Sequence, residues 1–241
     1  MYSKSFRAMF SAVRLLVKGP RVLLTLVLAW GGLLAAVYLF ASTREATISQ
    51  LLLTLVLGIA APALFFVLQA ISVTYADDSV VRIKQIAIDC LKLIVVSVPV
   101  IAVTLLAIYG LNKVQSHVTL ATTVRYLLIA VVAPMLAIQL WIAASNNGTR
   151  SLVKRLRSVL GNTFAPQSMF VYGCGFVIFA VVPFLVLQIG ISSERPWLEL
   201  SVLIMRIAVS AILILLGWVT TVGALSILNR TESKPLLNGN A

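Results

Sequence analysis

The chain has 241 residues, 61% of them hydrophobic and only 11% charged, with a mean hydropathy of +1.06. Soluble domains carry roughly 25% charged residues, so a water-soluble globule is excluded and most of the apolar surface must face lipid. The net charge of +12 does not point to nucleic acid: the cations cluster between apolar runs, with no stacking platform or base-reading helix beside them, and read as topology signals and attraction to anionic lipid.

Residues 3–19 form the first predicted element, a basic amphipathic helix. At 100° per residue Lys4, Arg7, Ser11, Arg14 and Lys18 share one face, with Arg21 at its edge. Phe6, Met9, Phe10, Val13, Leu16 and Val17 share the opposite face. Such a helix lies flat among lipid headgroups and pins the N-terminus to the cytoplasmic side. An acid-free helix bearing Arg and Ser also has the pattern of a mitochondrial presequence, but similar helices recur twice later in the chain, where no targeting signal could sit. The apolar run from Val22 is about 20 residues, too long for the core of a cleavable signal peptide.

Pro20 ends the first helix, and residues 22–41 make the first span. Gly31 with Ala35, and Gly32 with Ala36, give it small-residue faces for close packing. The second span covers 48–76, interrupted at Pro62. Asp77-Asp78-Ser79 then caps a second amphipathic helix over 79–92. Arg82, Gln85, Asp89 and Lys92 make its polar face, and Ile83, Ile86, Ala87, Cys90 and Leu91 its apolar one. The third span is 93–111 with Pro99, followed by an outer loop with the sole histidine, His117. The fourth is 124–144 with Pro134, and a turn over 145–149 opens a third amphipathic helix, 150–160. There Arg150, Lys154 and Arg157 oppose Leu152, Leu156, Val159 and Leu160. The fifth span is 169–191 with Pro183, the sixth 200–228, and 231–241 is a polar tail. The expected fold is thus an all-α membrane bundle of six spans and three interfacial helices, a single domain over 1–230.

Charge sets the orientation. Lys4, Arg7, Arg14, Lys18, Arg21, Arg82, Lys84, Lys92, Arg150, Lys154, Arg155, Arg157, Arg230 and Lys234 fall on one side, 14 of the 19 basic residues. The loops are short, so the positive-inside rule applies and places both termini in the cytoplasm. The expected location is the plasma membrane, the inner membrane of a bacterium.

The pattern of amphipathic helix, span, turn and returning span repeats three times, which suggests a three-hairpin internal repeat. Ala61-Pro62-x-Leu64 matches Ala133-Pro134-x-Leu136 at a spacing of 134 − 62 = 72 residues, and Val98-Pro99 matches Val182-Pro183. Three hairpins invite comparison with the mitochondrial carriers, but the acid–base signature those carry after proline is absent here. Pro99 is followed by Val-Ile-Ala-Val-Thr and Pro183 by Phe-Leu-Val-Leu-Gln. The layout is similar, in topology alone, to the membrane subunits of some ABC exporters. That likeness implies a small transporter or permease subunit.

Arg206 is the sharpest candidate for a substrate site, because an arginine inside a span costs up to ~2.5–3.5 kcal/mol at full depth. Glu199, seven residues earlier, projects from nearly the same face. Together they could line a polar pocket for an anionic headgroup or solute, or Arg206 could snorkel outward and merely set helix depth. Arg125, at the edge of the fourth span, is a further candidate and reads more simply as an interfacial anchor. Gln69, Gln139 and Gln188 suit interhelical hydrogen bonds. The four intramembrane prolines could bend spans around a cavity. Neither a metal-ligand cluster nor a catalytic motif is present, so neither catalysis, metal nor cofactor is expected.

The leading expectation is a non-catalytic membrane protein. Its cytoplasmic collar (Lys4, Arg7, Arg14, Lys18, Arg21, Arg82, Lys92, Arg150, Lys154, Arg155 and Arg157) would bind anionic lipid headgroups, a partner protein or a second copy. The alternative is the transporter, with its site near Arg206 and the proline-bent spans.

Overall fold

The computed structural model describes residues 2–43, 47–76, 83–113, 118–190 and 195–233. Among them there is no strand. Six helical segments are long and apolar enough to cross a membrane: Pro20–Ser42, Ile48–Thr74, Lys84–Asn112, Thr119–Asn146, Pro166–Gln188 and Trp197–Arg230. The protein is an integral, multi-pass membrane protein. The expected cap at Asp77-Asp78-Ser79, together with Arg82, His117 and tail residues 234–241, lies outside the described residues.

The chain divides into two compact units, Met1–Leu23 with Pro166–Ala241, and Leu24–Ala165. The first contains α1 (Tyr2–Lys18), α8 (Pro166–Phe176), α9 (Val182–Gln188) and α10 (Pro196–Ser233). At ~1.5 Å per residue α10 is about 57 Å long, nearly twice a hydrocarbon core of ~30 Å, so it must tilt or project beyond the bilayer. It is the spine of this unit, and α1, α8 and α9 all pack on it.

The second unit holds most of α2 (Pro20–Ser42), with α3 (Ile48–Thr74), α4 (Ile83–Asn112), α5 (Val118–Leu127), α6 (Ala133–Asn147) and α7 (Thr149–Thr163). Thr47 opens α3 with a capping box: its hydroxyl accepts from Gln50 N–H at 3.3 Å, and Gln50 Oε1 accepts from Thr47 N–H at 3.1 Å. Gly148, at φ +75°, separates α6 from α7 in a conformation that suits glycine. On α7 the two apolar positions Leu152 and Val159 turn inward, onto Val96 and Val100 of α4 and Leu140 and Ala144 of α6. Leu156 and Leu160, expected on the same apolar face, are exposed. Tyr75, just past the end of α3, is buried, and that burial pushes its phenol above the usual range.

Residues 83–92 are the first turns of the long α4, continuous with the third span rather than a separate helix. Burial in this segment does not follow the two expected faces, although Gln85 of the polar one is exposed. Asp89 is buried at 1% exposure, whereas Leu91 is 67% exposed. A helix that crosses lipid turns its polar residues inward and its leucines outward. The carboxylate is held by Lys92 Nζ at 2.8 Å and by Gln85 Nε2 at 3.0 Å, all on one helix.

Two of the four prolines alter their helices. A π-helical turn, Leu128–Val132, precedes Pro134, and another, Val177–Val181, precedes Pro183. The residue before each proline, Ala133 or Val182, donates to a carbonyl five positions back, Leu128 or Val177. A proline ring collides with the carbonyl four positions back, and the wider turn makes room for it. Pro62 and Pro99 sit in unbroken α-helix.

One polar tie joins α4 to α6: Trp141 Nε1 donates to Ser97 Oγ at 2.8 Å, and that hydroxyl donates to Leu93 C=O at 2.7 Å. Ser97→Ala would leave a buried indole N–H without its acceptor. A loss of about 1–2 kcal/mol is expected, readable as a lowered midpoint in detergent-solubilised thermal unfolding.

Candidate functional site

The site is built on α1. No Gly or Pro interrupts residues 2–18, so the helix runs until Gly19, whose N–H bonds back to Leu15 and Leu16 C=O at 3.2 and 3.3 Å. Pro20 then starts α2, where its missing N–H costs nothing. The face of α1 that packs on α10 and α8 lies between the two expected ones and takes only Leu16 from the apolar one. It is a seam of Ser5, Ala8 and Ala12, continued by Leu16, all buried. Small side chains let helix backbones approach closely, and in lipid that approach rather than apolar burial drives association.

The large apolar residues are therefore left outside. Phe10 is 73% exposed, and Phe6, Val13 and Val17 are exposed beside it. Tyr2 and Phe6 place their rings 5.0 and 5.3 Å from that of Phe170 on α8. On the third face stand Lys4, Arg7, Arg14 and Lys18, all exposed. The helix thus has three faces: a small-residue seam for protein, a cationic stripe, and an uncovered aromatic and aliphatic stripe.

Where the cationic stripe meets the other two helices there is a cleft of about 260 Å³. Lys4, Arg7 and Ser11 line it from α1, Gln167 from α8, and Ala8, Ile227 and Leu228 form its apolar part. Gln167 is the second residue of the span Pro166–Gln188, and Leu228 lies two residues before the end of the span Trp197–Arg230. The cleft therefore lies beside the ends of two candidate membrane helices. Among the described residues no acidic side chain lines it, and Lys4 and Arg7 give it positive charge.

The other expected site residues are scattered. Arg21 is exposed at the start of α2, and Arg157 is exposed on α7. Arg150, Lys154 and Arg155 belong to α7 by position, but their side chains lie outside the described set. Lys92 is engaged with Asp89. Arg125 stands over the ring of Tyr126, 5.5 Å from its centroid. Arg206 donates from Nε to the backbone carbonyl of Val186 at 3.1 Å, and Ser210 Oγ donates to that of Pro183 at 3.2 Å. These two bonds fasten α10 to the short α9. Glu199 is exposed in the first turn of α10. Among the described residues, no three His, Cys, Asp or Glu side chains gather into a metal cage.

Sequence reasoning missed the π-helical turns and the seam. Pro134-x-Leu136-x-x-Gln139 and Pro183-x-Leu185-x-x-Gln188 share a register that pairs the fourth span with the fifth, the two that carry the turns. The spacing of Ser5, Ala8 and Ala12 signalled the seam. In comparisons with known proteins, the chain matches no family model, no curated protein and no solved structure.

Proposed function

We propose that this chain is a non-catalytic membrane protein that gathers anionic phospholipid at one bilayer face through the cationic stripe and cleft of α1. The observation that carries this reading is the lining of the cleft, cations together with apolar side chains beside the ends of two candidate membrane helices. The uncovered stripe of Phe6, Phe10, Val13 and Val17 favours lipid over a protein partner or a second copy, since cations beside aromatics are the pattern of a helix lying in the interface. The cation excess of α1 supports a cytoplasmic N-terminus, and six crossings return the C-terminus to the same side. The bacterial inner membrane, rich in anionic lipid, suits such a protein.

The transport reading gains less support. Its central residue, Arg206, is engaged with the Val186 carbonyl, and such a bond favours a role in anchoring α10.

The test uses the full chain in nanodiscs of mixed phosphatidylcholine and phosphatidylglycerol, with spin-labelled lipids reporting which one the protein retains. Each cation near the surface contributes about 1 kcal/mol toward anionic lipid. The variant Lys4→Gln/Arg7→Gln/Arg14→Gln/Lys18→Gln should lose most of the preference for phosphatidylglycerol, and salt near 1 M should do the same to the unaltered protein. An unchanged preference in the variant would overturn the proposal.

A further inference from the structure

We infer that the cleft between α1, α8 and α10 is a site for one phosphomonoester headgroup, distinct in chemistry from the general attraction of the basic stripe. The inference rests on the lipid reading of α1 and narrows it to a ligand class. Volume is the first argument. Pockets for drug-sized ligands measure roughly 300–1,000 Å³, so a cleft of about 260 Å³ suits a small group such as a phosphate with its glycerol or alcohol carbon.

Charge is the second argument. Among the described residues two cations, Lys4 and Arg7, line the cleft and no acid does, and neither has a carboxylate partner there. A phosphomonoester carries about −1.5 to −2 at pH 7, with a second pKa near 6, whereas a phosphodiester carries one negative charge. Two cations therefore match the monoester. Their donors differ usefully: a guanidinium offers a planar pair of N–H groups to two phosphate oxygens, and an ammonium adds a point charge. Ser11 and Gln167 supply uncharged donors on the same walls. Ala8, Ile227 and Leu228 face whatever apolar chain follows the phosphate.

The shared chemistry is a phosphate monoester on an alkyl carbon, which a lipid such as phosphatidate or a soluble ester such as glycerol 3-phosphate can bring. The place of the cleft beside the ends of two candidate membrane helices argues for the lipid.

Native mass spectrometry of the detergent-solubilised full chain tests this, with phosphatidate and phosphatidylglycerol offered at equal concentration. The unaltered protein should retain one phosphatidate with about tenfold preference at pH 7.5. At pH 5, where the monoester has lost most of its second charge, the preference should shrink toward equality. Lys4→Gln/Arg7→Gln should abolish it. Arg14→Gln/Lys18→Gln, the same change in charge on the same stripe but outside the cleft, should lower retention of both lipids without removing the preference for phosphatidate.

Equal retention of the two lipids by the unaltered protein would overturn the monoester site. If both double variants then lowered phosphatidylglycerol retention alike, the general lipid reading would survive without it. If neither variant altered retention of either lipid, both would fall. Glycerol 3-phosphate supplied in competition separates the sources. Failure to displace phosphatidate supports the lipid, and displacement at micromolar concentration overturns the lipid as the source while upholding the monoester chemistry.

Discussion

Replacing Asp89 by leucine is expected to lower the stability of the protein by about 3 kcal/mol, and adding Lys92→Met in the same chain to restore most of the loss. The carboxylate is buried and takes hydrogen bonds from Lys92 and Gln85 one turn either side of it. Removing it alone strands an ammonium at the wall of a membrane helix. Lys92 keeps about a quarter of its surface exposed and can partly reach outward, which puts the cost at the lower end of the range for a broken buried pair. Removing both charges leaves two apolar side chains in an apolar setting, and such replacements are often neutral or better. Denaturant or steric-trapping titrations on the single and double variants give the coupling directly. A double variant as unstable as Asp89→Leu alone would mean that the carboxylate serves a group other than Lys92.

That pair also shows where the sequence stops being readable. Apolar runs around Val22, Ile48, Leu93, Val124, Met169 and Leu200 gave the six crossings, because length and hydropathy suffice for that. Period alone could not separate an in-plane helix from a crossing helix at 83–92. A 3.6-residue alternation of polar and apolar positions has the same phase whether the polar face looks at water or at other helices. Only burial of Asp89 beside exposed Leu91 decides it. On α1 the cationic stripe was legible and includes both cations of the cleft, Lys4 and Arg7. The packing face was not, because Ser5, Ala8 and Ala12 carry little hydropathy and a moment computed on hydropathy points toward Phe6 and Phe10 instead. In water those rings would be buried. In lipid they need not be, and the seam goes to whichever side chains let backbones meet. Gln167, Ile227 and Leu228 come to the cleft from more than 150 residues away, a juxtaposition that periodicity within one element cannot encode.

The same limit appears at two glycines only two residues apart, and there it yields the sharpest contrast expected in this protein. Gly173 and Gly175 both lie in α8, and sequence gives no reason to treat them differently. A methyl group added at Gly173 meets nothing within 4 Å, whereas one added at Gly175 overlaps Thr221 Oγ1 of α10 and comes within 2.9 Å of Thr221 Cβ. Thr221 cannot turn aside easily: it is β-branched, buried, and donates to Gly217 C=O at 2.6 Å. Gly217 closes the same contact from the other helix, where a Cβ would meet Ile178 Cγ2 at 2.9 Å and Phe179 backbone N at 3.1 Å. The two glycines thus interlock α10 with α8 and the π-helical turn that follows it. Gly175→Ala should cost about 3 kcal/mol, the upper end for overfilling a packed core, while Gly173→Ala should be neutral or stabilising by up to about 1 kcal/mol, since alanine is the better helix former. Thr221→Gly added to Gly175→Ala should recover part of the loss, less the ~1 kcal/mol that a second glycine costs a helix. Thermal unfolding of the four proteins in one detergent ranks them, and equal effects at Gly173 and Gly175 would show that α8 and α10 do not meet at this contact.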